Sequence, residues 1–220
     1  MKKVAFVLLA SLAPFLAVNA QDSAKEKIDE ILKKIERAGG KNKDKAKAEA
    51  AAAKSKDIDY IPKVPGPKER KDGALARVQF KGTGKAADIS GQVIFKQKGD
   101  AVLIAPMIQN LPDAEYGFHI HARNDCSAAD FTSAGDHFNP DAKMHGNRQG
   151  EHHAGDLGNL KMQGGKAATI EALQGVSVTV GKHGIIGRSV IIHAGPDDFT
   201  TQPTGNSGAR IACGIITYDK

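Results

Sequence analysis

The sequence predicts an all-β domain, an antiparallel sandwich or barrel, behind a helix-prone and flexible N-terminal extension. Two observations lead to this prediction. From Gly73 onward, apolar residues alternate with polar ones at the two-residue period of β-strands, between glycine-containing turns. The preceding residues are rich in lysine and alanine instead. A chain of 220 residues with 5% aromatic residues and no tryptophan therefore has room for one compact domain and a low-complexity segment.

Residues 1–20 have the pattern of a cleavable signal peptide. Two lysines precede a largely apolar run, and Val18-Asn19-Ala20 is a small-residue cleavage motif. A membrane anchor is the alternative, but Pro14 interrupts the run and no other apolar stretch approaches the ~20 residues that a span needs. The sequence thus predicts an exported protein, periplasmic or secreted, with a mature chain that starts near Gln21 and no membrane span.

Residues 21–73 form the predicted extension. A capping box at Ser23 and Glu26 opens a short amphipathic helix, a charged tract follows at 41–56, and a proline-rich linker occupies 61–73. The apolar side of the helix consists of Ile28, Ile31, Leu32 and Ile35. Self-association through this side, or attachment to an anionic surface, is possible, but a flexible spacer is the simpler interpretation because so short a helix is unstable alone.

The net charge of +6 resides outside the domain. Residues 74–220 carry 14 basic and 14 acidic side chains, so the excess of positive charge belongs to residues 1–73. The composition therefore gives no support for a nucleic-acid partner.

The strand pattern is interrupted once, by a long polar segment. Residues 122–165 are rich in Gly, Asp, Asn and His, and we expect a functional loop without strands there, since a span of that length is too long for an ordinary connection. A turn is expected at Pro112-Asp113. The predicted strands, in chain order, are 76–80, 89–95, 102–108, 117–121, 168–172, 176–180, 190–193 and 211–216.

Cys126 and Cys213 are the two cysteines of the chain. In an exported protein they predict one intramolecular disulfide rather than two buried free thiols. Such a bridge would attach the long loop to a strand near the C-terminus.

Two histidines lie on one side of the strand at 117–121. Because side chains alternate along a strand, His119 and His121 point away from the face that Phe118 and Ile120 occupy. A pair of histidines is also common as ordinary polar positions of a strand, so this pair alone does not establish a metal site.

Further candidate ligands fall in the long loop and on a later strand. Three imidazoles and one carboxylate of the loop suit a closed tetrahedral zinc site. His193 can join His119 and His121, and an all-imidazole set suits copper, zinc, iron or nickel rather than magnesium or calcium. The loop residues are His137, His145, His153 and Asp156.

The candidate ligands lie within longer motifs, which occur in this order: Gly117-Phe118-His119-Ile120-His121, Ser133-Ala134-Gly135-Asp136-His137-Phe138-Asn139-Pro140, His153-Ala154-Gly155-Asp156-Leu157-Gly158-Asn159, Gly187-Arg188 and Gly208-Ala209-Arg210-Ile211-Ala212-Cys213-Gly214. Through these motifs and their order, residues 74–220 resemble the copper/zinc superoxide dismutase family. The resemblance implies a Greek-key antiparallel β-barrel of about eight strands with two long functional loops, one copper ion and one zinc ion per chain, and superoxide as the substrate.

The resemblance also implies a role for each matching position. His137 bridges the two metals and takes part in catalysis with Arg210, which receives the anionic substrate. Asp197 joins a copper-side histidine to a zinc-side histidine, and Thr204 lies at the mouth of the substrate channel. The implied copper ligands are His119, His121, His137 and His193, and the implied zinc ligands are His137, His145, His153 and Asp156.

Some features depart from the animal-type pattern. The segment between Asp198 and Arg210 is shorter and the loop after Cys126 is longer, as in the exported bacterial branch of the family. Substrate-steering charges therefore cannot be transferred, and a homodimer is one of several assemblies that the family allows. Alternatives are a two-metal hydrolase or a non-catalytic metal-binding or copper-delivery domain, but all implied ligand positions are filled. His152 and His183 are expected to face solvent.

Overall fold

The computed structural model describes residues 63–167 and 171–219, so the predicted signal peptide, amphipathic helix and charged tract lie outside the described residues. Within those ranges the prediction of an all-β domain is confirmed. No helix there is long and apolar enough to cross a membrane. The strands are β1 Leu75–Gln79, β2 Lys81–Gly82, β3 Ser90–Lys98, β4 Ala101–Gln109, β5 Glu115–His121, β6 Asp156–Gln163, β7 Lys166–Ala167, β8 Glu171–Leu173, β9 Ser189–His193, β10 Arg210–Ile215 and β11 Thr217–Asp219.

The strands pair in an order that returns to its starting point, as in a barrel. All pairs are antiparallel, and the order is β11-β1-β3-β4-β7-β6-β5-β9-β10-β2, with β8 paired to β4. One residue separates β1 from β2, and one separates β10 from β11. The segment β1–β2 and the segment β10–β11 are therefore each nearly continuous. They pair with each other at both ends of the strand order, which closes the sheet. The pairing of β5 with β9, instead of its neighbour in sequence β4, gives the crossed connection of a Greek key.

The apolar alternation of the predicted strands forms the core. Ala76 and Val78 of β1 are buried against Val93 and Phe95 of β3, as the period of two predicts. Phe118 and Ile120 of β5 belong to the same cluster. The side of β5 opposite the two histidines is thus anchored in the core.

Strand β6 corrects the prediction that residues 122–165 contain no strand. Asp156–Gln163 pairs with β5, and Leu157 and Leu160 are buried. The register shifts between Gly117 and His119, and Gly158 adopts a φ of 89°. This bulge breaks the period of two, which is why the strand was not visible in the sequence.

Residues 176–180 correct a second prediction, because they do not form a strand. Ser177 makes an isolated bridge with Gly184, and its N–H donates to the carbonyl of His183 at 3.0 Å. The N–H of Val178 donates to Gln97 Oε1 at 2.9 Å. The segment therefore bonds to its own turn and to a side chain rather than to a neighbouring strand. Of the predicted strand at 168–172, residues 168–170 lie outside the described part, and 171–172 belong to β8.

The described end of the predicted linker contacts the domain. Val64 packs on the core cluster, and the N–H of Val180 donates to the carbonyl of Pro67 at 2.8 Å. Gly66 lies so close to Ile186 that a Cβ would come within 2.8 Å of its side chain. Gly73 N–H donates to a carbonyl of β3 at 2.9 Å. Residues 64–73 are therefore an attached part of the domain surface.

Candidate metal centre

Two strands of the barrel carry three of the candidate ligands. His119 and His121 lie on β5 and are fully buried. His193 ends β9, the strand that pairs with β5. Because Phe118 and Ile120 fix the opposite side of β5 in the core, the two imidazoles of β5 have little freedom to move.

The structure brings four imidazoles into one cluster, which we call the copper-side cluster. One ring nitrogen from each lies within 4.8 Å of the others. Ring centroids are separated by 4.0 Å for the closest pair and 6.4 Å for the most distant pair. Its members are His119, His121, His137 and His193.

The hydrogen bonds of these rings show which nitrogens face inward. His121 Nδ1 lies 2.8 Å from the carbonyl of Gly135, and His193 Nδ1 lies 3.1 Å from the carbonyl of Gly208. Since a carbonyl only accepts, each Nδ1 carries the proton, and each Nε2 keeps a lone pair. Both Nε2 atoms are buried without a hydrogen-bond partner. These unpaired nitrogens are the observation that fits a metal ion.

In His119 the two ring nitrogens exchange roles: Nε2 is hydrogen-bonded and Nδ1 keeps the lone pair. Its Nε2 lies 2.8 Å from Asp197 Oδ2, while its Nδ1 is buried and has no hydrogen-bond partner. The carboxylate fixes the proton on Nε2 and leaves a lone pair on Nδ1. Three rings of the copper-side cluster thus each offer one acceptor nitrogen and hold the other in a hydrogen bond.

A second cluster, which we call the zinc-side cluster, surrounds Asp156. Its carboxylate lies 2.8 Å from His137 Nδ1, 3.0 Å from His145 Nδ1 and 3.3 Å from His153 Nδ1. The Nδ1 atoms of His145 and His153 have no hydrogen-bond partner, so they converge on the carboxylate without the alignment of hydrogen bonds. Three imidazoles and one carboxylate are the donor set of a closed zinc site.

Backbone groups fix the carboxylate of this cluster. The N–H groups of His153 and Gly146 donate to Asp156 Oδ2 at 2.8 and 3.2 Å. Asp156 also starts β6, directly opposite His119 of β5 in the register. The strand therefore places this carboxylate, while the histidines around it come from the loop.

His137 belongs to both clusters. Its Nδ1 faces Asp156, and its Nε2 is buried without a partner in the copper-side cluster. An isolated antiparallel bridge to His121, and a hydrogen bond of 2.8 Å from the N–H of Phe138 to the carbonyl of Ile120, attach this part of the loop to β5. The predicted bridging position is thus placed between the clusters by backbone hydrogen bonds.

Asp197 connects the clusters at a second point. Its Oδ2 contacts His119 Nε2 at 2.8 Å, and its Oδ1 contacts His145 Nε2 at 2.9 Å. Asn159 holds the backbone of Asp197 through two hydrogen bonds of 2.7 and 2.9 Å. Gly205, with a φ of 65°, packs directly on the carboxylate, and a Cβ there would overlap with Oδ1. The position requires glycine for both reasons.

Burial keeps the copper-side imidazoles neutral. Burial, and then the electrostatic repulsion that His137 would exert on a second protonated ring, hold the pKa values of His119 and His121 well below the usual range. Burial also lowers the pKa of His193 to about 4. Neutral rings have the lone pair that metal ligation requires.

In the zinc-side cluster, nearby carboxylates counteract the lowering of the histidine pKa by burial. Burial lowers the pKa of His145, but its contacts with the carboxylates of Asp156 and Asp197 outweigh it and raise the pKa to about 9. Burial raises the pKa of Asp156, yet its contacts with the three zinc-side histidines hold it far below the usual range. The zinc-side cluster therefore contains fixed negative charge that favours a cation.

Arg210 lies beside the copper-side cluster. It is the register partner of His193 in the β9–β10 pair, and it is half-buried, with Nη1 donating to the carbonyl of Phe131 at 2.8 Å. Its charge contributes to the lowered pKa of His121 and His193. Thr204 lies half-buried in the preceding turn, where its carbonyl accepts a hydrogen bond from Ser207 Oγ at 3.3 Å. This contact involves its backbone, so a channel role of its side chain stays a prediction.

The predicted disulfide is confirmed. Cys126 and Cys213 are bonded, with 5.8 Å between their Cα atoms, and the bridge links the long loop to β10. A small apolar cluster of Phe131, Ala134 and Ile191 surrounds it. The loop is thus attached to the barrel close to Arg210.

Two remaining histidines lie outside both clusters. His183 Nε2 contacts Asp141 at 3.0 Å and is half-exposed, and His152 Nδ1 contacts the carbonyl of Gly150 at 2.8 Å. Sequence reasoning missed the carbonyls of Gly135 and Gly208 as partners of the ligand rings, because a backbone acceptor has no side-chain signature. It also missed Asn159 as the residue that holds Asp197.

Comparisons with known proteins agree with this geometry. The family described as copper/zinc superoxide dismutase (SODC) matches residues 89–216. A protein of Autographa californica nuclear polyhedrosis virus with the provisional name superoxide dismutase [Cu-Zn] is 40% identical over 145 residues, which are 61% of this chain and 95% of the viral one.

A second viral protein and a solved structure extend this agreement. A protein of Orgyia pseudotsugata multicapsid polyhedrosis virus with the same provisional name is 40% identical over 141 residues, which are 60% of this chain and 92% of its own. The crystal structure of the clock protein EA4 superposes with a TM-score of 0.60 and 35% identity, over 68% of this chain and 97% of that one. With both histidine clusters in place, the chain belongs to the copper/zinc superoxide dismutase family.

Proposed function

We propose that this protein is a copper- and zinc-dependent superoxide dismutase that acts outside the cytoplasm. The observation that carries the proposal is the pair of buried four-ligand clusters that share His137. One cluster is all-imidazole and lies beside an arginine, while the other has the donor set of a closed structural site.

The residues divide between the two ions as follows. Copper would be held by His119, His121, His137 and His193, each of which has a buried ring nitrogen without a hydrogen-bond partner. Zinc would be held by His137, His145, His153 and Asp156, three imidazoles and one carboxylate that suit a structural zinc site. Asp197 holds one ring of each set in its orientation.

Copper held by these histidines would supply one-electron redox chemistry, through which two superoxide anions and two protons become one dioxygen and one hydrogen peroxide. Arg210 presents fixed positive charge to the substrate anion. His137 Nε2, which faces the copper side, is the nitrogen that can release and accept a proton, because its Nδ1 faces Asp156. Thr204 is proposed to line the approach.

The activity can be tested on residues 21–220 loaded with both metals. We expect superoxide consumption in a stopped-flow assay, and His119→Ala should abolish it by removing a copper ligand that the core holds in place. His183→Ala is the matched control, because His183 contacts Asp141 outside both clusters. Protein that binds both metals without consuming superoxide would instead be a metal carrier. Full activity of His119→Ala would refute the copper site.

We also propose export through the signal peptide at residues 1–20. The disulfide supports this, since disulfides persist in oxidising compartments. Expression of the full chain in a Gram-negative host, followed by mass spectrometry of the periplasmic fraction, should give a mature N-terminus at Gln21. An unprocessed chain in the cytoplasm would contradict the proposal.

A further inference from the structure

Arg188 is a buried charge that the proposed chemistry does not use. Its side chain is 1% exposed and it directly precedes β9. An arginine is rarely buried unless each of its donors finds an acceptor, because a buried unpaired charge is costly. Its contacts therefore indicate what it does.

The guanidinium reaches three backbone carbonyls. Nε donates to Gly184 at 2.7 Å, Nη1 to Ala122 at 2.9 Å, and Nη2 to Gly181 at 3.2 Å. The planar group also stacks on the ring of Phe138, with 3.6 Å from Cζ to the ring centroid. A planar fork that donates at its edge and stacks with its face fixes several groups at once.

Two of these contacts are adjacent to candidate copper ligands. Ala122 directly follows His121 at the end of β5, and Phe138 directly follows His137 in the loop. The backbone of Arg188 is fixed as well, since its carbonyl accepts from the N–H of Ile216 at 2.8 Å. The strand that starts after Arg188 ends at His193. The side chain of Arg188 thus contacts two of the segments that carry the copper-side histidines, and its backbone leads directly into the third.

We propose that Arg188 is a positioning residue that sets the placement of His121 relative to His137. This inference rests on the proposed function, because it concerns the copper site of that activity. Without the guanidinium, the carbonyl of Ala122 and the ring of Phe138 lose their common partner. The junction between β5 and the loop can then relax, which moves His137 away from the ligands that β5 and β9 hold.

The test compares three variants of residues 21–220 after loading with copper and zinc. Arg188→Met keeps most of the side-chain volume without the donors, and Arg188→Lys keeps the charge without the planar fork. Arg77→Met is the control, because Arg77 pairs with Asp219 between β1 and β11, two strands that carry none of the candidate ligands. The measurements are the copper(II) electron paramagnetic resonance spectrum, copper affinity by chelator competition, and the melting temperature.

We expect Arg188→Met to change the copper hyperfine coupling and to weaken copper binding by about 10- to 100-fold, the usual effect of losing an outer hydrogen-bond partner of a metal site. Arg188→Lys should fall between this variant and the wild type. Arg77→Met should lower the melting temperature and leave the spectrum unchanged. A wild-type spectrum and affinity for Arg188→Met, or the same changes in Arg77→Met, would reduce Arg188 to a fold-stabilising residue.

If Arg188→Met does not fold, the spectrum of Arg188→Lys decides whether Arg188 is a positioning residue. A shifted spectrum in that variant supports the proposal, and a wild-type spectrum overturns it. If wild-type protein binds copper but consumes no superoxide, the proposed function fails, while the spectral comparison still decides the role of Arg188.

Discussion

The two candidate metal clusters are held by different parts of the fold. The copper-side histidines of β5 and β9 extend from strands whose other side chains, such as Phe118 and Ile192, are in the core. The zinc-side histidines come from the loop between β5 and β6, which is held by hydrogen bonds to Asp156, one disulfide and a small apolar cluster rather than by strand pairing. Strand-held ligands are in position before a metal binds, whereas loop-held ligands depend on one another.

This difference assigns distinct tasks to the two ions. A site fixed by strands gains little structure from its metal, so the role of its ion is catalytic rather than structural. A site made by a loop gains its structure from the ion, so zinc contributes to folding. His137 and Asp197 connect the two, and a change in the loop can therefore reach the copper ligands through either residue.

The loss of zinc is expected to have the largest effect on the stability of the protein. We expect zinc alone to raise the melting temperature of the metal-free protein much more than copper alone, because binding energy at a loop site is folding energy, on the order of 10 kcal/mol for structural zinc. Calorimetry of the metal-free, copper-only, zinc-only and doubly loaded protein measures this.

Asp156→Asn should abolish the rise in melting temperature that zinc causes and leave the smaller rise that copper causes. It takes the charge from the carboxylate on which His145 and His153 converge. Equal stabilisation by the two ions in the wild type would contradict the division between strand-held and loop-held sites.

Removal of the disulfide should have the next largest effect. The bridge spans 87 positions, and the chain-entropy relation gives a loss of about 4.5 kcal/mol for that separation as an upper value. Because Cys126 lies in the loop, Cys126→Ala/Cys213→Ala should weaken zinc binding more than copper binding. Urea unfolding with chelator competition checks both, and the wild type under reducing conditions is the control. Equal losses of affinity for the two metals would show that the bridge does not support the loop-held site in particular.

Gly205→Ala should have a smaller effect that reaches both clusters. The residue has a φ of 65°, and a Cβ would overlap with Asp197, the partner of His119 and His145. Gly164→Ala is the matched control, with a φ of 60° and open space around the new methyl group. The control should lose only the ~1–2 kcal/mol of backbone strain. Gly205→Ala should lose more and should also lower the affinity for both metals. If the two variants behave alike, Asp197 does not couple the clusters.

The strand-held side was readable from the sequence, because the alternation of Phe118 and Ile120 with two histidines has a single geometric meaning on a strand. The loop side was readable only as a set of candidate ligands, because the loop sequence has no regular period that would place their side chains. Strand β6 was missed because the bulge at Gly158 interrupts the alternation. Residues 176–180 were misassigned because their apolar pattern serves a turn that packs on the core.

The smallest effect on activity is expected from the extension. We propose that residues 21–62 act as a spacer, so their deletion should leave superoxide turnover per copper and the melting temperature unchanged. Deletion of residues 21–73 should lower stability, since it removes Val64 from the core surface, which contributes roughly 1 kcal/mol at half burial. It also removes the hydrogen bonds of Pro67 and Gly73 to the domain.

Comparison of the two deletions shows whether the extension is only a spacer or whether part of it also stabilises the barrel. Pro67 bonds to Val180, and Gly66 packs on Ile186, two residues before Arg188. The longer deletion should therefore loosen the strand-held side while zinc affinity stays constant, which chelator competition and urea unfolding can measure. A loss of turnover with the shorter deletion would show that the extension takes part in the activity.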